Sequence, residues 1–219
     1  MGNLLINVLL SVLFGIVIFI ILLRKSNLKV EHILIPIITG LFAVFPASLL
    51  EYELFKKTGS ADDFFNIFIN AFVIASLIEE TAKFLAIKIL FSIRKIDNLK
   101  AGISTAIAVG TGFACLENIL YSFDSSIFVK FRVFSAIPLH IITAGIMGYF
   151  CVKTVHSQKY RSLRGFCEAF LIHGFYNLLI SIKTFISFLA IPLLLCTGYR
   201  LYKLLSKNSS QRSKTDINS

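Results

Sequence analysis

Five acidic or histidine residues lie well inside long apolar stretches of this chain, where a charged group is costly. They are Glu79, Glu80, Glu117, His140 and His173. A charge at the centre of a membrane-spanning helix costs roughly 2.5–3.5 kcal/mol on insertion scales, so such a residue faces the protein interior and is a functional candidate by default. Buried carboxylates beside imidazoles are suited to activating a water molecule. The residue types therefore predict a water-activating site inside a membrane.

One chemistry open to this set uses a metal ion. His140, His173 and a carboxylate, taken as that of Glu117, would bind zinc and leave its fourth position open. A remaining glutamate, Glu79 or Glu80, would then take the proton from the bound water. The chain has no HExxH motif, which excludes a zincin.

The other chemistry needs no metal. A buried glutamate would act directly as the general base, with a histidine beside it. His173 and Asn177 lie four residues apart, one helical turn, and would donate hydrogen bonds to the developing oxyanion. Residue spacing alone does not choose between the two chemistries.

Small residues recur every three or four positions in four of the apolar stretches, in line with the polar residues. The four stripes are Ala71, Ala75, Glu79, Ala82, Ala86; Gly102, Ala106, Gly110, Ala114, Glu117; Ala136, His140, Ala144, Gly148; and Ala169, His173, Asn177, Ser181. Small residues at this spacing let helix backbones approach closely in lipid. The polar side chains are therefore predicted to converge where four helices pack together.

Lys83 can neutralise only one of the two adjacent glutamates. It lies four residues after Glu79 and three after Glu80, and both spacings allow a pair on one helix. Glu79 lies on the stripe of small residues and is the predicted base, whereas Glu80 is the predicted partner of Lys83. Glu117 has no basic residue within four positions, so its partner must come from another helix or a metal.

The composition predicts an all-α, polytopic membrane helix bundle. Of 219 residues, 56 % are apolar and 16 % are charged, whereas a soluble domain has about 25 % charged residues. Seven apolar stretches are long enough to span a membrane. They run near 4–23, 32–50, 66–92, 101–121, 133–152, 166–184 and 186–205.

The basic residues predict the orientation. Most of the 22 Lys and Arg residues fall in alternate loops on one side, which the positive-inside rule makes cytoplasmic. The N-terminus is then outside, the C-terminus is inside, and the polar cluster lies in the outer half of the membrane. The net charge of +10 is a topology signal with attraction to anionic lipid, and no motif for nucleic acid is present.

Four ordered motifs resemble those of a known family. They are EETAK at 79–83, GFACLENILY at 112–121, PLHIITAGIMGYF at 138–150 and HGFYN at 173–177. Over about residues 66–180 the chain resembles the PrsW family of intramembrane proteases, which is distantly similar to the type II CAAX prenyl endopeptidases. The resemblance implies hydrolysis of a peptide bond of a membrane-anchored protein. In bacterial relatives it implies cleavage of a single-span anti-sigma factor from the external side.

The resemblance also implies which residues form the site. Glu79 and Glu80 match the glutamate pair, Glu117 the second motif, His140 and His173 the two histidines, and Asn177 the last motif position. The CAAX-type relatives have a histidine where this chain has Glu117, so their metal-free arrangement does not transfer automatically.

The complete sequence-based interpretation is a multi-pass cell-membrane protease with a zinc cofactor. Its single domain covers 1–206, and 207–219 is a disordered cytoplasmic tail. Two alternatives stay open at this point. One is a proton- or cation-coupled transporter, although the polar motifs show no internal repeat between halves. The other is a non-catalytic membrane scaffold or immunity protein.

Overall fold

The computed structural model describes residues 2–58, 63–123, 128–157, 161–182 and 184–216, and all regular secondary structure in these ranges is helical. The α-helices are α1 (Gly2–Ser26), α2 (Glu31–Thr58), α3 (Phe64–Ile69), α4 (Leu77–Arg94), α5 (Leu99–Tyr121), α6 (Phe128–Ser157), α7 (Arg161–Ser181) and α8 (Ala190–Asp216). A π-helical segment, Asn70–Ser76, joins α3 to α4, and a 3₁₀ turn, Phe185–Leu189, leads into α8. The all-α prediction is confirmed.

Seven helical rods fit the predicted number, because α3, the π-helical segment and α4 run on without a break. Within the described ranges, five helices are long and apolar enough to cross a membrane on length and composition. These are Leu4–Ser26, Glu31–Thr58, Leu99–Tyr121, Arg132–Val155 and Phe185–Ser206. The other two rods include α4, with its two glutamates and lysine, and α7, with His173.

A short turn makes α4 and α5 antiparallel. Lys95 ends α4 in the left-handed conformation, with φ 49° and ψ 46°. The side chain of Asn98 then caps α5 by accepting a hydrogen bond of 2.8 Å from the backbone N–H of Ala101. Glu79, near the start of α4, and Glu117, near the end of α5, therefore lie at the same end of the bundle. We call it the site end.

Close backbone contacts place α5 at the centre of the bundle, as the small-residue stripe predicts. A Cβ atom added at Gly110 would lie 2.6 Å from the carbonyl oxygen of His140 on α6. One added at Gly148 would lie 2.5 Å from the Cβ of Ala106. Glycine at these positions lets α5 and α6 pack backbone to backbone, which fixes the position of His140 relative to Glu117.

The π-helical segment changes the predicted stripe on the third rod. The spacing predicts Ala71 and Ala75 on the packed face, but Ala75 is only partly buried, whereas Ser76 is fully buried. The Ser76 hydroxyl donates a hydrogen bond of 2.7 Å to the carbonyl oxygen of Phe170 on α7. Single π turns inside α-helices occur frequently at functional sites, and this one ends three residues before Glu79.

Candidate active site

Four helices bring the five predicted polar residues together at the site end. Glu79 and Glu80 lie on α4, Glu117 on α5, His140 on α6 and His173 on α7. All five are at most 7 % exposed. The convergence predicted from helical spacing is therefore present in the structure.

Three of these residues form a donor set of the right kind for a metal ion. Oε2 of Glu79 lies 3.8 Å from Nε2 of His140 and 3.8 Å from Nε2 of His173. One donor atom from each of the three residues lies within 4.8 Å of the other two. Donors around a tetrahedral metal ion such as zinc lie about 3.3 Å apart, so the three donors would have to move closer together to hold such an ion. Among the described residues, the three-donor set that lies within 4.8 Å thus contains Glu79, where the sequence favours Glu117.

Glu80 orients His173. Its Oε1 lies 2.7 Å from Nδ1 of His173, and the Thr143 hydroxyl donates to the same oxygen at 3.4 Å. A carboxylate on one ring nitrogen fixes the tautomer and the ring orientation of a metal-binding histidine. In this tautomer Nε2 of His173, the nitrogen that faces Glu79, carries no proton.

Lys83 connects Glu80 to the second histidine. Its Nζ lies 2.5 Å from Oε1 of Glu80 and 2.7 Å from Nδ1 of His140, with the lysine side chain fully buried. The pairing of Glu80 with Lys83 is the one expected from their spacing. An ammonium group can only donate, so we assign the proton of neutral His140 to Nε2. Metal binding through Nε2 requires the other tautomer, in which Lys83 contacts Glu80 alone.

Glu117 has partners on another helix, as its sequence context requires. Nη2 of Arg132 donates to Oε1 of Glu117 at 2.7 Å, and the guanidinium carbon lies 3.8 Å from the centre of the Tyr121 ring. Oε2 of Glu117 lies 2.6 Å from Nε2 of His140. The predicted fifth span begins at residue 133 and leaves Arg132 in the loop before it. The structure instead places Arg132 on α6, which begins at Phe128, with a side chain only 19 % exposed.

One predicted residue stays apart from the others. Asn177 is partly buried on α7, and no hydrogen bond joins its side chain to the site within the described ranges. The sequence analysis missed two contributors, Arg132 and Thr143. Thr143 could have been found, because it lies three residues after His140 and therefore on the same helix face.

Three buried carboxylate oxygens at the site have no hydrogen-bond donor among the described residues. They are Oε2 of Glu79, Oε2 of Glu80 and Oε2 of Glu117. The contact between Glu117 and His140 is short but not aligned as a hydrogen bond. Buried acceptors left without donors are costly, so these oxygens indicate that the site binds a further group, either water or a cation. Together the fold and the site define a membrane-embedded hydrolase.

Comparison with known proteins identifies the family. Residues 5–199 match the PrsW family, described as intramembrane metalloproteases. The chain is 33 % identical to protease PrsW of Oceanobacillus iheyensis over 156 residues, covering 69 % of this chain and 70 % of that protein. It is 26 % identical to protease PrsW of Bacillus subtilis over 164 residues, covering 72 % and 73 %. No solved structure matches the chain.

The chain belongs to the PrsW family of intramembrane metalloproteases. It is a multi-pass membrane protein and an intramembrane protease, and membership of this family sets aside the transporter and scaffold alternatives. The match also extends over α1, α2 and the first part of α8, which contain none of the four motifs.

Proposed function

We propose that this protease hydrolyses a peptide bond of a membrane-anchored protein with water activated by the acid–histidine cluster. This cluster consists of Glu79, Glu80, Glu117, His140 and His173. The observation that carries the proposal is a set of three buried carboxylate oxygens around two histidine rings, for which the described part of the chain supplies no hydrogen-bond donor. Water or a cation would satisfy them. A core built only for stability would pair such groups, because an unpaired buried charge is strongly destabilising.

The residues fit zinc, and we assign Glu79, His140 and His173 as the groups that would hold it. One donor atom from each lies within 4.8 Å of the other two, and Glu80 contacts the second ring nitrogen of His173. When bound, zinc supplies a Lewis acid that makes water nucleophilic at neutral pH. Compared with the sequence-based prediction, this assignment exchanges the roles of Glu79 and Glu117.

Glu117 is then the proposed general base. Arg132 holds its Oε1, which leaves Oε2 beside His140 to take a proton from water and pass it to the leaving amine. Lys83 holds Glu80 and therefore the orientation of His173. Asn177 lies one turn beyond His173 and is proposed, as in the sequence analysis, to donate to the oxyanion once substrate is bound.

A metal-free mechanism is the second candidate, and one contact favours it. The donation from Lys83 to Nδ1 of His140 suits a histidine without a metal on Nε2. In that mechanism a site glutamate, Glu79 or Glu117, would be the base. Chelation separates the two mechanisms: activity that is lost with a chelator and restored by zinc supports the metal, whereas an active, metal-free preparation overturns it.

The proposed orientation puts the N-terminus outside and the C-terminus in the cytoplasm, from the asymmetry of the basic residues. The site end is then the external end, and the proposed substrate is a single-span protein, such as the anti-sigma factor that the family resemblance implies. The protease domain is proposed to cover 1–206, with 207–219 as a tail. The backbone of α8 continues to Asp216.

The deciding experiment is N-terminal end-labelling of membrane proteins from cells that express wild type or the Glu79→Gln/Glu80→Gln variant. New ends that appear only with wild type would identify the substrate and the depth of the cut. Identical ends in both samples, with equal expression of the two proteins, would contradict the proposed site.

A further inference from the structure

Glu51 is a fourth acidic residue on a helix face that packs toward the site. On α2, positions 40, 44, 47 and 51 follow a spacing of four, three and four residues, which is one face of a helix. Val44 is fully buried and Ala47 is 2 % exposed. Gly40 lies so close to α5 that an added Cβ would overlap the carbonyl oxygen of Val109. The packed face of α2 therefore continues to Glu51.

The packing contacts of α2 also set the level of Glu51. Val44 and Ala47 pack in one cluster with Phe113 of α5. The same cluster includes Ile78 and Ala82 of α4, on either side of the two glutamates. Glu51 lies one turn beyond Ala47, so it points toward the site end.

The charge of Glu51 reaches the site. Glu51 interacts electrostatically with Glu117, Lys83 and Arg132, and with Glu79. Glu53, two residues further on, is different: its side chain is 57 % exposed and pairs with Lys56 at 3.4 Å. The two glutamates of one helical turn thus have separate surroundings, and only Glu51 faces the site.

Two complementary polar groups that have no partner among the described residues lie next to the acid–histidine cluster. Oε1 of Glu51 is buried and accepts no hydrogen bond from the described residues. Nε of Arg132 is buried and donates none within the same ranges. One is an acceptor without a donor, and the other is a donor without an acceptor. An extended peptide offers an N–H and a C=O on each residue, and peptide-binding sites use this main-chain pairing for affinity.

We propose that Glu51 and Arg132 bind the main chain of the substrate beside the scissile bond. Glu51 accepts a main-chain N–H, and Nε of Arg132 donates to a main-chain carbonyl. This inference rests on the proposed function, since it needs a peptide substrate at the site. It adds a binding role to α2, which contains none of the family motifs.

The test uses a synthetic peptide that spans the cut found by end-labelling, with purified enzyme. Glu51→Leu should raise KM about tenfold, the value of one lost hydrogen bond, with kcat changed less than about twofold. Glu51→Gln should raise KM less, because its amide oxygen still accepts. Glu53→Gln is the matched control and should behave as wild type.

Three results would overturn the proposal. An unchanged KM in Glu51→Leu would show that Glu51 only packs in the helix interface and does not bind substrate. A loss of kcat that is equal in Glu51→Leu and Glu51→Gln would make it a group that reacts. A KM raised as much in Glu53→Gln would make the effect one of charge at a distance. If wild type does not cut at all, it is the proposed function that fails.

A second experiment asks whether the contact is to the main chain. In a series of peptides, one amide near the cut is replaced by an ester in each peptide, so each peptide lacks one main-chain N–H. For one position, wild type should lose about tenfold in kcat/KM with the ester, whereas Glu51→Leu should treat ester and amide alike. A Glu51→Leu enzyme that discriminates at every position as wild type does would overturn the assignment.

Discussion

Within the described ranges, two ionic clusters connect helices, and they differ in whether all of their carboxylate oxygens accept hydrogen bonds. Glu168 on α7 accepts hydrogen bonds from Nε and Nη2 of Arg200 on α8, at 2.7 and 3.3 Å, with both side chains partly exposed. In the acid–histidine cluster, by contrast, Glu79, Glu80 and Glu117 each keep one buried oxygen that no described residue donates to. A satisfied pair holds helices together, whereas a buried unsatisfied acceptor marks a place for substrate, water or metal.

The largest effects on activity are expected at Glu117 and Glu79, the two carboxylates proposed to act at the reacting atoms, and the zinc content should distinguish them. Glu117→Gln removes the proposed base, so kcat/KM should fall roughly 10²–10⁴-fold while the protein keeps its zinc. Glu79→Gln should lose both activity and zinc, because it removes a ligand. Cleavage assays and metal analysis of the purified variants check this. Zinc lost from Glu117→Gln but kept by Glu79→Gln would restore the sequence-based assignment.

Removing Lys83 should cost the most stability. Lys83→Met leaves Glu80 as a buried charge without its cation, which typically costs about 3–5 kcal/mol. Thermal unfolding in detergent, followed by circular dichroism, measures the loss. Lys88→Met is the matched control on the same helix, because Lys88 is exposed. Equal melting temperatures for the two variants would show that the buried pair contributes nothing to stability.

A smaller effect is expected at Arg132. Arg132→Lys keeps a positive charge near Glu117 but loses the planar fork and the Nε donor, a change that is not conservative at such a site. We expect kcat/KM to fall by about tenfold, as for one charge-assisted hydrogen bond. Peptide cleavage by the purified variant checks this. A variant with wild-type kcat/KM would show that neither Glu117 nor the substrate needs the guanidinium.

The smallest effect on activity and stability is expected at the pair of Glu168 and Arg200, in which both carboxylate oxygens accept hydrogen bonds. Glu168→Gln weakens a partly exposed pair, and such pairs contribute about 0–1 kcal/mol. Activity should stay at the wild-type level, and the melting temperature should shift little. A Glu168→Gln enzyme that loses activity as Glu117→Gln does would contradict the distinction between a structural cluster and a catalytic one.

The sequence predicted the convergence of the site because that property depends on local spacing. Stripes of small residues on four helices show which faces pack, and Glu79, Glu117, His140 and His173 each lie on such a face. The ends of the helices are harder to predict. The predicted second span stops at residue 50, but α2 continues to Thr58, and this short difference hid Glu51. Arg132 was hidden in the same way by the predicted start of the fifth span at residue 133.

Distances between helices have no local signal at all. The sequence shows that Lys83 can pair with Glu80, but its contact with His140 joins residues 57 positions apart. The choice between Glu79 and Glu117 as a third donor depends on how α4 and α5 pack against α6 and α7. Neither residue type nor spacing encodes such differences.

The π-helical segment determines how far α3 is rotated about the helix axis relative to α4. One residue of an α-helix corresponds to a rotation of about 100°, so a one-residue deletion within Asn70–Ser76 would turn α3 by about that angle relative to α4. Glu79 and Glu80 would keep their neighbours, while the aromatic side chains of α3 would face another direction. Insertions and deletions in this segment are therefore a route by which relatives could alter the approach to the site without altering its chemistry.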